Sequence, residues 1–123
     1  MPIKTPTFHL FVYGTLMRGH LRADTLRYER YIGEVQTLPQ YALLDCGNYP
    51  GLVRVENDGK SIHGELYEVN SRLIEVLDRI EGSPELFRLE KVEIENSPDV
   101  YAYFLKYKIN NPRYCQNNKW EGI

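Results

Sequence analysis

The chain has 123 residues, 42% of them hydrophobic and 26% charged, with 15 Lys+Arg against 17 Asp+Glu for a formal net charge of −2. This is the length and composition of one globular domain with its own core, which excludes a disordered tail, a coiled coil and a collagen-like rod. A nearly balanced charge gives little grip on phosphates, so neither nucleic acid nor an anionic membrane surface is an expected partner.

In chain order, Phe8-His9-Leu10-Phe11-Val12-Tyr13 is a short apolar, aromatic run that predicts a strand buried on both faces. A loop from Gly14 to His20 follows, then a helix over Leu21–Glu29, where Leu21, Leu26 and Tyr28 stand among charged residues. Tyr31–Leu38 and Tyr41–Asp45 read as strands separated by Pro39. Asn48-Tyr49-Pro50-Gly51 has the chemistry of a tight turn, and Leu52–Glu56 resumes as a strand. Asn57-Asp58-Gly59-Lys60 signals a hairpin to a partner strand over Ser61–Val69.

Asn70 or Ser71 can cap a helix that runs to about Glu81 and packs through Leu73, Ile74, Leu77 and Ile80 over Ser71–Ile80. Gly82 supplies its stop and Pro84 blocks continuation. Arg88–Glu95 predicts a strand with Val92 and Ile94 on one face, Asn96–Asp99 a turn, and Val100–Ile109 a strand with Tyr101, Tyr103, Leu105, Tyr107 and Ile109 on one face. Residues 110–123 read as a loose polar tail, leaving a single domain over 1–109. Many strands with one clear helix give an α+β class: a mostly antiparallel barrel or curled sheet with one packing helix.

No run approaches eighteen apolar residues, which excludes a membrane-spanning helix. The start Met1–Thr7 lacks the apolar stretch of a signal peptide, so the expected location is the cytoplasm. Cys46 and Cys115 cannot build a disulfide framework, and His9, His20 and His63 share no metal-ligand spacing; no metal and no cofactor is expected. Ten of the aromatic residues are tyrosine, a residue suited to walls facing a polar cavity.

Candidate chemistry starts at Gly14-Thr15-Leu16-Met17-Arg18-Gly19. The GxxxxG spacing is that of a phosphate-binding loop, but His20 and Leu21 stand where Lys and Ser/Thr are needed, which excludes nucleotide hydrolysis. Uncovered N–H groups at Gly14 and Thr15 could instead cradle a carboxylate or oxyanion; the alternative is a plain strand-to-helix connection. Glu81 ends a helix where carboxylates are disfavoured, with Asp78 one turn before it, a placement that raises a carboxyl pKa and suits a proton shuttle. Its alternative is a solvated glutamate paired with Arg79 or Arg88. Cys46 with His63 is the remaining nucleophile pair, against the commoner reading of a buried structural cysteine.

Taken together, Phe11-Val12-Tyr13-Gly14-Thr15-Leu16, Tyr49-Pro50-Gly51-Leu52-Val53, His63-Gly64-Glu65-Leu66-Tyr67-Glu68-Val69, Leu77-Asp78-Arg79-Ile80-Glu81-Gly82 and Tyr101-Ala102-Tyr103 form an ordered series. It resembles the γ-glutamylcyclotransferase-like (AIG2-like) family, and within it the γ-glutamylamine cyclotransferase form. The resemblance covers residues 8–108. It implies a small α+β barrel with a cavity at one side, and intramolecular attack of a substrate's α-amine on its γ-glutamyl carbonyl, releasing 5-oxoproline and an amine or amino acid. Carried over, Glu81 moves the proton, and Tyr13, Gly14, Thr15 and Leu16 hold the substrate. Phe87 and Tyr103 are expected pocket walls. Leaving-group selectivity is expected from Met17–Arg22 and Asn48–Pro50.

The chain departs from the family pattern after Gly82: Leu86-Phe87-Arg88-Leu89 stands where a tyrosine and polar strand residues are usual. That departure carries the alternative function, a non-catalytic small-molecule binding protein using the same cavity.

Overall fold

The computed structural model describes residues 6–83 and 85–122; Met1–Thr5, and Pro84 with its expected helix-blocking role, lie outside them. Among the described residues are eight strands: β1 (Thr7–Val12), β2 (Arg30–Gln36), β3 (Tyr41–Asp45), β4 (Pro50–Arg54), β5 (His63–Asn70), β6 (Phe87–Ile94), β7 (Ser97–Leu105) and β8 (Arg113–Tyr114). They form one sheet in the order β2-β5-β1-β7-β4-β3-β8, with β6 paired to β7 off that path. The far end of β6 returns to β2 through the Thr37–Ile94 bridge and a Leu38 N–H bond to the Glu93 carbonyl of 2.9 Å, which curls the sheet into a half-barrel. The expected class, α+β with a curled and mostly antiparallel sheet, is the one observed.

Two pairings are parallel, and they position the site. β1 runs beside β7 at Val100 and Tyr101, and β4 beside β7 at Phe104. The two strands thus share one edge of β7 and part at its middle, so a fork opens after Val12. Tyr13 fills it. Its hydroxyl donates to the Tyr103 carbonyl at 2.5 Å and accepts from the Leu52 N–H at 3.3 Å, joining β7 to β4 beside their short ladder at Leu52 and Phe104. The core around this fork includes Leu10, Phe11, Leu52, Leu77, Ala102 and Phe104, all nearly inaccessible to solvent.

The single α-helix among the described residues, α1 (Ile74–Glu81), is entered through a 3₁₀ turn at Ser71–Leu73, with the Asn70 side chain accepting the Arg72 N–H at 2.9 Å. The helix stops at Gly82, whose φ of 64° is left-handed. Leu77 is the fully buried anchor, while Leu73, Ile74 and Ile80 are half-buried, because the helix lies along the rim of the sheet rather than under it.

Several local expectations need correction; the last long strand, expected over Val100–Ile109 after a turn at Asn96–Asp99, is Ser97–Leu105. Leu21–Glu29 holds only a 3₁₀ turn at Ala23–Leu26, since Leu26 is its one buried residue and no apolar stripe exists to dock a full helix. The β3–β4 turn sits at 46–49, earlier than Asn48–Gly51; the Cys46 N–H bonds the Tyr49 carbonyl, and Pro50 and Gly51 already belong to β4. Asn57–Lys60 is not a hairpin between neighbours: β4 pairs β3 and β7, whereas β5 pairs β1 and β2. Beyond Ile109 the chain is not loose: β8 pairs β3, and Trp120 is buried in the core cluster with 5% exposure.

Candidate active site

The fork that Tyr13 braces is the mouth of a narrow cleft of about 30 Å³ lined by Phe11 to Leu16, Tyr49, Pro50, Glu81 and Tyr103. Four separate segments meet here: the end of β1, the β3–β4 turn, the last turn of α1 and the middle of β7. The approach of the first two is close. A Cβ on Gly14 would lie 2.7 Å from Pro50 Cγ, so only glycine lets the β1 loop and the start of β4 touch.

After Gly14 the chain makes a tight turn, closed by the Met17 N–H on the Gly14 carbonyl at 3.0 Å. Thr15 and Leu16 occupy its corner, and their N–H groups have no acceptor among the described residues. Two adjacent open amides beside a cleft form a site for a developing oxyanion or a carboxylate.

Glu81 lines the same cleft from α1. It is half-buried, and burial pushes its carboxyl up from 4.5 to about 7, with the Arg22 guanidinium pulling the other way. Burial, rather than the helix end alone, is therefore the dominant cause. No pairing with Arg79 or Arg88 contributes. A carboxyl that titrates near neutrality can accept and return a proton at ordinary pH.

The tyrosines beside it do not titrate there. Burial, and then the charge of Glu81, hold the Tyr13 hydroxyl well above its ordinary value. Burial and a 2.6 Å bond donated to Asp78 Oδ1 do the same for Tyr103. Tyr13 offers the cleft its ring, its hydroxyl being committed to the fold. Tyr103, whose O–H donates to Asp78, presents only lone pairs to the cleft. This Asp78–Tyr103 bond, which ties α1 to β7 one turn before Glu81, went unread in the sequence because it links residues 25 positions apart.

Of the expected walls, Tyr103 lines the cleft and Phe87 does not. Phe87 packs edge-on behind Tyr49, with ring centroids 5.7 Å apart, and Tyr49 is in turn held by a 2.6 Å hydroxyl–hydroxyl bond to Tyr107. Cys46 and His63 stay apart. The Cys46 thiol, pushed up by burial, lies by Tyr107, whereas His63 lines a larger cavity of about 720 Å³ between Glu34–Pro39, His63–Glu65 and Ile94–Asn96. That larger cavity contains neither Glu81 nor the open amides, so size does not mark the chemistry here.

A sequence model described as gamma-glutamyl cyclotransferase, AIG2-like, matches residues 10–122. A Vibrio cholerae protein that carries a provisional gamma-glutamylcyclotransferase name is 39% identical over 103 residues, covering 83% of this chain and 87% of its own. The human gamma-glutamylaminecyclotransferase is 31% identical over 93 residues, covering 70% of this chain and 61% of that protein, less than two thirds of its length. In three dimensions, an AIG2-like protein from Mus musculus superimposes with a TM-score of 0.78 at 24% identity, over 94% of this chain and 88% of that one, a likeness of fold. With the sequence match running through β1, α1 and β7, the elements that build the cleft, the chain belongs to the gamma-glutamyl cyclotransferase, AIG2-like family.

Proposed function

We propose that this chain is a γ-glutamyl cyclotransferase that cleaves a small γ-glutamyl amide by intramolecular cyclisation, with Glu81 as the proton shuttle and the Tyr13–Leu16 segment as the substrate cradle. The observation that carries the reading is the Glu81 carboxyl, titrating near 7 in the same cleft as the open Thr15 and Leu16 amides.

The steps follow from those groups. Ionised Glu81 takes a proton from the substrate's α-ammonium, freeing the amine lone pair. The amine nitrogen bonds to the γ-carbonyl carbon, and the carbonyl electrons move to oxygen, where the Thr15 and Leu16 N–H groups stabilise the charge. As the carbonyl re-forms, the bond to the leaving nitrogen breaks and Glu81 delivers its proton there; the freed carboxylate then takes the second proton from the ring nitrogen, leaving the lactam N–H, and passes it to the released amine, which departs as an ammonium. The products are 5-oxoproline and an amine or amino acid. Nucleophile and electrophile belong to one molecule, so the protein's task is to fold the substrate and relay protons from the α-nitrogen to the leaving nitrogen. The acceptor-only Tyr103 oxygen suits a second N–H of the α-ammonium.

The test is a screen for 5-oxoproline release from γ-glutamyl dipeptides, glutathione, ε-(γ-glutamyl)-lysine and γ-glutamyl polyamines. Glu81→Gln keeps the shape but cannot accept the proton, so turnover should fall by at least about 10² with melting little changed. Glu75→Gln, on the exposed side of the same helix, is the control. Wild-type kcat/KM should lose rate below about pH 7, where Glu81 takes up its proton. Near-normal turnover by Glu81→Gln would falsify the shuttle role.

A further inference from the structure

Arg22 touches both halves of the cleft without lining it. Its backbone N–H donates to the Thr15 carbonyl at 2.7 Å, closing the loop that bears the open amides. Its guanidinium crosses to α1 and donates from Nη1 to the Ile80 carbonyl at 3.2 Å, across 58 positions of sequence. Ile80 is the residue before Glu81. Its carbonyl sits in the last helical turn, where acceptors lack intrahelical partners and positive charge is favoured.

We propose that Arg22 is a positioning residue for the cyclotransferase reaction: it fixes the spacing between the Thr15–Leu16 amides and the Glu81 carboxyl, and its cation favours the ionised form of that carboxyl. The inference rests on the cyclotransferase reading for its catalytic half; the electrostatic half rests on the guanidinium's seat at the Ile80 carbonyl, beside Glu81, and does not need that reading.

The groups facing Glu81 are Arg22 from the loop, Tyr13 from the end of β1, Tyr49 from the β3–β4 turn and Tyr103 from β7, with Asp78 on its own helix held by Tyr103. Both Tyr13 and Tyr103 stay neutral through the working range. Arg22 is thus the cation acting on Glu81, and its effect runs against that of burial. The guanidinium is exposed, so salt should weaken the electrostatic half while leaving the hydrogen-bonded spacing in place.

The experiment measures two quantities in Arg22→Gln and Arg22→Lys. One is the pH profile of kcat/KM with an accepted γ-glutamyl amide at 0.05 and 1 M salt. The other is the carboxyl-carbon NMR titration of Glu81 in protein labelled at glutamate, assigned by its loss in Glu81→Gln. In Arg22→Gln both midpoints should move upward by about half a pH unit at low salt, about a threefold loss of kcat/KM at pH 6, and by less at 1 M salt. In the pH-independent region kcat should also fall by about threefold or more, as the two halves lose their tie. Arg22→Lys should restore the midpoints but not kcat, since a lysine keeps the charge without the forked geometry. An unmoved NMR midpoint in a well-folded Arg22→Gln protein overturns the electrostatic role, and an unchanged kcat overturns the positioning role. If wild type releases no 5-oxoproline from any amide, the cyclotransferase reading fails and with it the catalytic half. The NMR midpoint then still decides the electrostatic half.

Discussion

Replacing Tyr13 with phenylalanine removes one oxygen and nothing else, and that oxygen joins two strands. With it gone, the Tyr103 carbonyl and the Leu52 N–H lose the partner that bridges β7 and β4 in a region closed to water. A buried polar group left unsatisfied costs about 1–3 kcal/mol, and the longer Leu52 bond belongs at the lower end, so the sum is about 2–4 kcal/mol. The unfolding entropy of a chain this long is about 0.26 kcal/mol/K, which converts the loss into a Tm lower by about 8–15 °C. The ring stays, so packing terms drop out of the comparison. Calorimetry at neutral pH measures the shift, and urea denaturation at constant slope checks that the loss is one of stability. A Tyr13→Phe protein melting within about 2 °C of wild type would mean that the hydroxyl does not brace the fork.

Two further outcomes follow from close packing. Gly14→Ala should lower Tm and turnover together, because its Cβ meets the Pro50 ring at 2.7 Å; adding Pro50→Ala should recover most of the Tm loss, and simple additivity of the two changes would contradict the contact. Trp120→Ala should cost about 3–5 kcal/mol, read as a lower urea midpoint, because the indole is 5% exposed within the core cluster; no change would restore the picture of a loose tail.

The elements legible in the sequence were those whose signals are local. The cap at Asn70, the left-handed stop at Gly82 and the buried Leu77 between them are each set by neighbours within a turn or two. β6 and β7 were legible by alternation, although Pro98 and Asp99 lie in β7 and the turn between the strands is shorter than Asn96–Asp99 suggested. The signals that misled were also local but were outvoted. Asn57–Lys60 has hairpin chemistry, yet β5 finds its partners in β1 and β2, because the sheet must close around a common core. β8 is two residues long and polar, with no periodicity to read. At the cleft, the loop and Glu81 stood out by residue type and order. The ties that aim them, Arg22 to Ile80 and Tyr103 to Asp78, are pairings of distant residues that no spacing in one sequence can announce.

The half-buried carboxyl of Glu81 also links folding to proton uptake. In the unfolded chain it ionises at its ordinary value of 4.5; in the folded protein it holds its proton until about pH 7. Below pH 4.5 both states are protonated and the group is neutral to stability. Between the two values folding draws a proton from solvent, and above pH 7 the folded state carries the full desolvation cost, at most about 3 kcal/mol. For a domain whose total stability is of order 5–15 kcal/mol, that is a substantial fraction concentrated on one side chain. The desolvation that readies Glu81 for proton transfer makes this corner of the fold weaken as the pH climbs from about 4.5 to neutrality.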